Sequence, residues 1–268
     1  MAPQRQSSMY APIIERIFLN HYHEGEAEFL FSRTEIEEVA NELDIQLPKN
    51  PGDVIYSFRF RRDLPDRILQ TAPEEQRWII RLSGRGQYKF VLITAPEIVP
   101  SQMLALTKIP DSTPGVIVRY AFDDEQALLA KLRYNRLIDI FTGLTLYSLQ
   151  SHLRTSVQDI GQTETDEVYV GVDRRGVHFV VPVQAKGGTD KVGIVQIEQD
   201  LAMCSEKFPP LICRPVAAQF MEDDLIALFE FEDTIEGVRI VDEKHYQLVS
   251  PDDLSPEELQ AYQERLPD

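Results

Sequence analysis

The sequence has little cysteine, no long apolar run and a deficit of positive charge. Cys204 and Cys213 are the only cysteines in 268 residues, and their spacing fits neither a metal site nor a disulfide framework. No apolar run reaches the roughly 18 residues that a membrane span needs, and the first residues lack the apolar core of a secretory signal. These absences argue against a disulfide-stabilised secreted domain and a membrane protein, and they predict a cytoplasmic location.

The charge balance is strongly acidic. Lysine and arginine number 27 against 44 aspartates and glutamates, so the formal net charge is −17 and the isoelectric point is near 4.7. This argues against strong non-specific binding to nucleic acid. An acidic chain can still have a local basic surface that binds DNA. A metal site also adds to the acidic balance, because it collects carboxylates. With 43% hydrophobic residues, the chain can bury a sizeable core in one large domain or two smaller ones.

Residues 1–95 are expected to form three helices followed by a β-hairpin. Apolar residues at helical spacing predict a helix over residues 10–22. Ser32 and Glu35 form a capping box for a second helix, and Asn50 is the expected N-cap of a third. Trp78–Leu82 and Gln87–Ile93 are predicted to pair as strands. This order of elements resembles a winged helix-turn-helix domain.

The resemblance implies that this first domain contacts DNA. The third helix of a winged helix enters the major groove, and the wing grips the backbone. Arg59, Arg61 and Arg62 near the end of the third helix, with Arg85 at the tip of the hairpin, are therefore the candidate DNA-binding residues. Dimerisation or protein binding by this domain is the alternative.

The remainder is predicted to be a linker and an α/β domain. Residues 96–120 contain four prolines, which is typical of a linker. Residues 121–268 are expected to begin with a buried helix over residues 124–151. The pattern then indicates two strands, a helix over residues 189–205, two further strands and a short C-terminal helix. Helices that alternate with strands in this way predict an α/β class with a mixed sheet.

Chemically informative residues cluster in the hairpin of the second domain. Asp173 and Val177 can flank the three-residue loop Arg174-Arg175-Gly176, in which Gly176 supplies the positive φ that such a loop needs. In that register Asp166 faces Gln184 and Glu164 faces Lys186. Because side chains alternate along a strand, we expect all four to share one face. Pro182 suggests a bulge that would shift this register by one residue.

A carboxylate, an amide oxygen and an ammonium group at one end of a hairpin suit metal-assisted phosphodiester hydrolysis. Oxygen ligands hold Mg²⁺, the ion activates water and neutralises developing charge, and a nearby lysine stabilises the transition state.

This segment resembles the active-site hairpin of the PD-(D/E)XK nucleases, in which an acidic residue on one strand precedes an (E/D/Q)-x-K triplet on the next. The resemblance implies a restriction-endonuclease-like mixed sheet, with Asp166 and Gln184 as Mg²⁺ ligands and Lys186 assisting the nucleophile. Glutamine at the second acidic position is the departure from the common pattern, and Glu164 or Glu167 can compensate for it. Whether Asp139 of the preceding helix joins the site stays open, as does the number of metal ions.

The expected function is Mg²⁺-dependent cleavage of double-stranded DNA, as in a type II restriction enzyme. One active site per chain and two strands to cut imply a homodimer. Two alternatives stay open: a DNA-binding regulator that carries a degenerate nuclease domain, and a repair nuclease that selects DNA structure.

Overall fold

The computed structural model describes most of the chain, and the structural statements below concern that part. It comprises residues 9–60, 62–84, 86–94, 98–101, 103–120, 125–158, 160–187, 190–221, 225–235 and 237–264. No helix within these ranges is long and apolar enough to cross a membrane. Two of the candidate DNA-binding residues, Arg61 and Arg85, lie outside the described residues.

The first part of the chain, as far as it is described, forms four helices and a three-stranded sheet. The helices are α1 (Ala11–His21), α2 (Arg33–Glu42), α3 (Gly52–Phe60) and the short α4 (Asp66–Leu69). The strands are β1 (Glu28–Ser32), β2 (Gln76–Leu82) and β3 (Gln87–Thr94), which pair antiparallel in the order β1-β3-β2. The three predicted helices and the predicted hairpin are confirmed, and β1 and α4 are additional elements.

Local hydrogen bonds explain where the predicted helices begin. The backbone N–H of Ser32 donates to Glu35 Oε1 at 2.7 Å, which satisfies a donor that the first turn of α2 would leave unpaired. Before α3, the N–H of Gly52 donates to Asn50 Oδ1 at 3.2 Å, and the Asn50 amide donates to Asp53 Oδ1 at 2.8 Å. The polar residues recognised in the sequence therefore cap both helices.

The second part is built on a mixed sheet of eight described strands. These are β4 (Leu106–Pro110), β5 (Thr145–Val157), β6 (Gly161–Val172), β7 (His178–Lys186), β8 (Ile212–Cys213), β9 (Val216–Phe220), β10 (Leu225–Thr234) and β11 (Gly237–Val249). They lie in the order β4-β11-β10-β9-β7-β6-β5, with β8 beside β7. Pairing is antiparallel except for β4 with β11 and β7 with β8 and β9. The predicted α/β class is confirmed.

Five described helices accompany this sheet. They are α5 (Gly115–Tyr120), α6 (Glu125–Tyr134), α7 (Leu137–Thr142), α8 (Ile194–Lys207) and α9 (Pro256–Gln263), with a 3-10 turn at Pro251–Asp253 before the last. One face of the sheet packs its apolar side chains, among them Tyr169 and Val181, with leucines of α6 and α7. On the other face Val168 and Val180 pack with Met203 of α8. The central strands are thus covered on both sides.

The long helix predicted over residues 124–151 is wrong in its second half. Arg136 has φ +51° between α6 and α7, and Gly143 has φ +67° at the end of α7. A left-handed glycine is a common helix terminator, and the chain continues as β5. The leucines that suggested one helix are divided between two short helices and the start of a strand.

The linker predicted over residues 96–120 contains ordered structure. β4 pairs in parallel with β11, from Leu106↔His245 to Pro110↔Val249, and Ile98 is buried. Because β4 is the last strand of the sheet, one of its edges needs no hydrogen-bond donors, and proline is tolerated there. A proline-rich segment therefore serves here as an edge strand.

The two parts of the chain share an apolar cluster. Phe60 of α3, Ile79 of β2 and Ile93 of β3 pack against a buried group that includes Ile194 of α8 and Phe229 of β10. A bidentate ion pair adds to this contact: Arg81 of β2 donates to Glu198 of α8, with the Nε–Oε2 bond at 2.9 Å. The outer face of the N-terminal sheet therefore packs against α8.

Candidate active site

The hairpin of β6 and β7 has the predicted register. Its pairs run from Val172↔His178 to Glu167↔Val183, and Gly176 has φ +81° in the loop. The bulge that Pro182 suggested does not shift the register. β7 pairs with β8 at Phe179 and Val180 and with β9 from Val183 onward, so Pro182 lies where β7 changes its neighbour on that side.

Asp166 lies beside β7 just past the last pair of this register. Its Oδ2 accepts a hydrogen bond from the N–H of Ala185 at 2.8 Å, while Ala185 pairs with Ala218 of β9 on its other side. The carboxylate thus takes the place that a strand carbonyl would have. Lys186 Nζ lies 3.9 Å from the same oxygen, and the two side chains are only 9% and 11% exposed. The structure therefore brings Asp166 and Lys186 together.

The regular alternation of side chains on which the expectation of one shared face depends is interrupted along β6. The hydroxyl of Thr165 donates to Asp200 of α8 at 2.5 Å, and Val168 also packs against α8. Residues three apart face opposite sides of a regular strand, so the alternation is interrupted between Thr165 and Val168. Asp166 lies at this irregularity, which directs its carboxylate to the edge of β7.

Gln184 is fully buried in a polar network under α8. Its Nε2 donates to Asp200 Oδ2 at 2.9 Å and to the carbonyl of Glu164 at 3.1 Å. Its Oε1 accepts from Gln196 Nε2 at 3.2 Å. Gln196 Oε1 in turn accepts the N–H of Gly193 at the start of α8, at 3.2 Å. Both ends of the Gln184 amide are engaged, so this side chain joins β6, β7 and α8.

Asp200 is the acidic residue of this network that the sequence pattern alone did not single out. It is buried, and burial raises its pKa to about 7 against the hydrogen bonds from Thr165 and Gln184, with the Asp166 charge adding to the rise. The signal was present: Gln196 and Asp200 are four residues apart on α8 and so share one helix face. Polar residues at that spacing on a buried helix indicate a polar contact with the sheet.

The other candidate acids have different partners. Glu164 Oε1 pairs with Arg154 Nη2 of β5 at 2.9 Å. Glu167 is fully buried, paired with Arg133 of α6 at 2.5 Å, and accepts a hydrogen bond from Ser148. Asp139 pairs with Arg136 and accepts the N–H of Leu146. Glu167 and Asp139 therefore hold α6 and α7 against β5 and β6.

The donor atoms at Asp166 suit a hard cation. Asp166 and Gln184 offer carboxylate and amide oxygens, the ligand type that Mg²⁺ prefers. Ligation by Gln184 Oε1 would require it to exchange its contact with Gln196. Within the described residues there is no cluster of three or more His, Cys, Asp or Glu side chains arranged to hold a metal. The residues thus fit Mg²⁺ at Asp166 more directly than at Gln184.

Arg59 and Arg62, the two candidate DNA-binding arginines within the described residues, lie at the junction of the two parts. Arg59 Nε donates to the carbonyl of Ile80 at 3.2 Å, its guanidinium lies 4.6 Å from the Phe60 ring centroid, and burial lowers its pKa to about 10. Arg62 is exposed and lines an open groove of about 1610 Å³ between α1, α4 and the segment before α8. Arg59 therefore has a structural role in this conformation, while Arg62 is accessible.

No protein-family model, curated protein or solved structure matches this chain.

Proposed function

We propose that this protein is a Mg²⁺-dependent endonuclease of the PD-(D/E)XK type that cleaves double-stranded DNA, most similar in action to a type II restriction enzyme. One observation carries the proposal. At the point where the β6–β7 register ends, the Asp166 carboxylate accepts the N–H of Ala185 and lies 3.9 Å from Lys186 Nζ. An acid and a lysine from neighbouring strands, both largely buried, form the pair that the motif requires.

The fold supports the same proposal. The acid lies on β6 and the Gln-x-Lys triplet on β7, within a mixed sheet covered by helices on both faces, as in a restriction-endonuclease-like domain. The preceding part has the order of helices and hairpin of a winged helix, with β1 added to the sheet. We assign DNA binding to that part and cleavage to the second. Two strands to cut require two such sites, hence a homodimer.

In this proposal, each side chain of the site has a different role in the reaction. Asp166, with Gln184 once its oxygen is released from Gln196, would hold the ion. Bound there, Mg²⁺ supplies charge neutralisation and an activated water. Lys186 is held beside the acid by its position on β7, where its ammonium can orient the attacking water and stabilise charge that develops on the phosphate. The network of Gln184, Gln196 and Asp200 fixes the strands that present this pair.

A second candidate function is favoured by the state of Gln184. Because both ends of its amide are engaged in the protein, the second ligand position is occupied by internal contacts. A DNA-binding regulator that has lost nuclease activity would show this arrangement. The two candidates differ in one observable, the breakage of phosphodiester bonds.

The test is incubation of supercoiled plasmid DNA with the protein, with and without Mg²⁺. The wild type is compared with Asp166→Asn, which keeps the shape of the side chain and removes its charge. Asp242→Asn is the matched control, because Asp242 also lies 3.9 Å from a lysine, Lys244, at a site remote from β6. We expect Mg²⁺-dependent cleavage by the wild type and the control, and its loss in Asp166→Asn.

The pattern of products separates the candidates. Discrete fragments indicate restriction, a smear indicates a non-specific nuclease, and intact plasmid that is nevertheless bound indicates the regulator. Intact and unbound plasmid contradicts both. Cleavage by Asp166→Asn at the wild-type rate would place the catalytic centre elsewhere.

A further inference from the structure

The ion pair between Arg154 and Glu164 borders the candidate active site. Arg154 of β5 lies directly opposite Glu164 of β6 in the strand register. Glu164 precedes Asp166 by two residues on the same strand. The carbonyl of Glu164 also accepts the Gln184 amide at 3.1 Å. The pair is therefore attached through the backbone to the polar network of the site.

This ion pair is accessible to solvent. The side chain of Arg154 is 66% exposed and that of Glu164 is 34% exposed, with Nη2 and Oε1 2.9 Å apart. Ion pairs in contact with water contribute little to stability, so either partner can be exchanged for another ion at small cost. A guanidinium binds phosphate oxygens with the same forked geometry that it uses for a carboxylate.

The surroundings make Arg154 a suitable cation for a nucleic-acid backbone. The chain carries a net charge of −17, so a polyanion that approaches Asp166 needs a local positive group. The hydrogen bond with Glu164 raises the pKa of Arg154, and a guanidinium stays charged at any ordinary pH. Arg154 lies on β5, beside the strand that carries Asp166.

We infer that Arg154 is a DNA-positioning residue that exchanges Glu164 for a backbone phosphate when duplex DNA enters the site. Glu164 then acts as a competitor that occupies Arg154 in the free protein. This inference rests on the proposed function and gives Glu164 a different role from that of a metal ligand.

The experiment measures duplex DNA binding in Ca²⁺, over a range of salt concentrations, with the full-length protein. Arg154→Ala should weaken binding about tenfold, as expected for the loss of a charged hydrogen bond, and should lower the slope of log K against log salt by about 0.9. Glu164→Gln should strengthen binding about fivefold, because one like charge near the phosphate is removed. In the Arg154→Ala background, Glu164→Gln should give a smaller gain, because the arginine that it would release is absent.

The control is a matched ion pair at a remote place on the sheet. Arg239 of β11 and Glu232 of β10 are also joined across two antiparallel strands and are 65% and 43% exposed. Arg239→Ala and Glu232→Gln should leave the affinity and the salt slope at their wild-type values. If the Arg239 and Arg154 variants change binding equally, the effect reflects net charge and the inference is wrong.

Failure of this inference is distinguishable from failure of the proposed function. Wild-type protein that binds and cleaves DNA, with Arg154→Ala binding equally well, overturns only the exchange at Arg154. Weaker binding by Glu164→Gln also overturns it and indicates a metal ligand instead. Wild-type protein that neither binds nor cleaves DNA overturns both.

Discussion

At the scale of the residue, Lys186 is the side chain on which the proposed chemistry depends most. Its ammonium lies 3.9 Å from Asp166 and is almost buried, although both flanking faces of the sheet are covered by apolar side chains. A cation is kept in such a place at an energetic cost unless a carboxylate or a bound anion accompanies it. Asp166 supplies that carboxylate, so the burial of Lys186 is compatible with stability. Under the proposed function, the ammonium has a chemical role as well.

Replacement of this lysine tests that explanation. Lys186→Ala should reduce cleavage at least about a hundredfold, the usual effect of removing one stabilising group from a transition state, while DNA binding in Ca²⁺ changes little. Lys244→Ala, which removes a lysine at the same 3.9 Å distance from an aspartate, serves as the control in the same plasmid assay. Equal rates for Lys186→Ala and the wild type would refute the assignment.

Asp200 makes a prediction about pH. Its pKa rises from the ordinary 3.8 to about 7 on folding, mainly through burial, so the native state binds this proton more tightly than the unfolded chain. The stability that the proton contributes is complete below about pH 4 and is lost as the pH rises towards 7. At 1.36 kcal/mol per pKa unit, the change is on the order of 4 kcal/mol at most.

Comparison with Asp200→Asn isolates this contribution, because asparagine does not titrate. We expect the free energy of unfolding of the wild type to fall relative to that of the variant between pH 5 and pH 7, as measured by urea denaturation without divalent ions. The constant offset between the two proteins reflects altered hydrogen bonds with Thr165 and Gln184 and carries no information. Parallel curves over this range would show that Asp200 remains charged in the native protein.

At the scale of the element, the long hairpin of β5 and β6 reaches the N-terminal sheet. Gly161, which begins β6, has φ +90°, and a Cβ built on it would lie 2.6 Å from Leu82 Cδ2 of β2. Glycine is therefore favoured there both by its backbone angle and by the contact. The contact links the strand that carries Asp166 to the end of the predicted wing.

Gly161→Ala should therefore lower the melting temperature by several degrees. A positive φ costs an alanine about 1–2 kcal/mol, which is about 2–4 °C per kcal/mol in a protein of this size, and the contact with Leu82 adds to it. Gly176→Ala is the control, since Gly176 has a similar φ of +81° and a Cβ added there would meet nothing within 4 Å. Leu82→Ala should recover part of the loss in Gly161→Ala. Equal losses at both glycines, without such recovery, would mean that the contact with Leu82 adds nothing to the cost of the backbone angle.

At the scale of the whole molecule, the two parts are not independent. Ile79 and Ile93 point from the N-terminal sheet into the cluster around α8, so the sheet is apolar on both faces. A protein of residues 1–95 alone exposes that outer face, and exposed apolar patches of this kind promote association. The position of the N-terminal sheet and that of α8, which carries Asp200, are therefore mechanically connected.

The fragment of residues 1–95 should accordingly self-associate and bind a hydrophobic dye. Ile79→Thr with Ile93→Thr should make the fragment monomeric, because it makes the exposed face polar, while in the full chain the same pair should cost about 1–3 kcal/mol per side chain at most. Analytical ultracentrifugation tests the prediction for the fragments, and calorimetry tests the prediction for the full chains. A monomeric wild-type fragment without dye binding would argue that the outer face is not apolar in solution.

Features that depend on near neighbours in the chain could be predicted from the amino-acid pattern. The start of α2 at Ser32 and the loop at Gly176 follow from capping and turn geometry, which involve residues only a few positions apart. The hairpin register, and with it the proximity of Asp166 to the Gln-x-Lys triplet, was predicted for the same reason.

The other features could not be predicted in this way, because they depend on contacts between residues far apart in the chain. The partners of Glu164 and Glu167 are arginines 10 and 34 residues away, and β4 becomes a strand only because β11 lies beside it. The burial of Gln184 against Asp200 depends on how α8 packs across the sheet. The spacing of apolar residues along the chain indicates a helix or a strand. Which neighbour covers each face of that element depends on the packing of the whole chain.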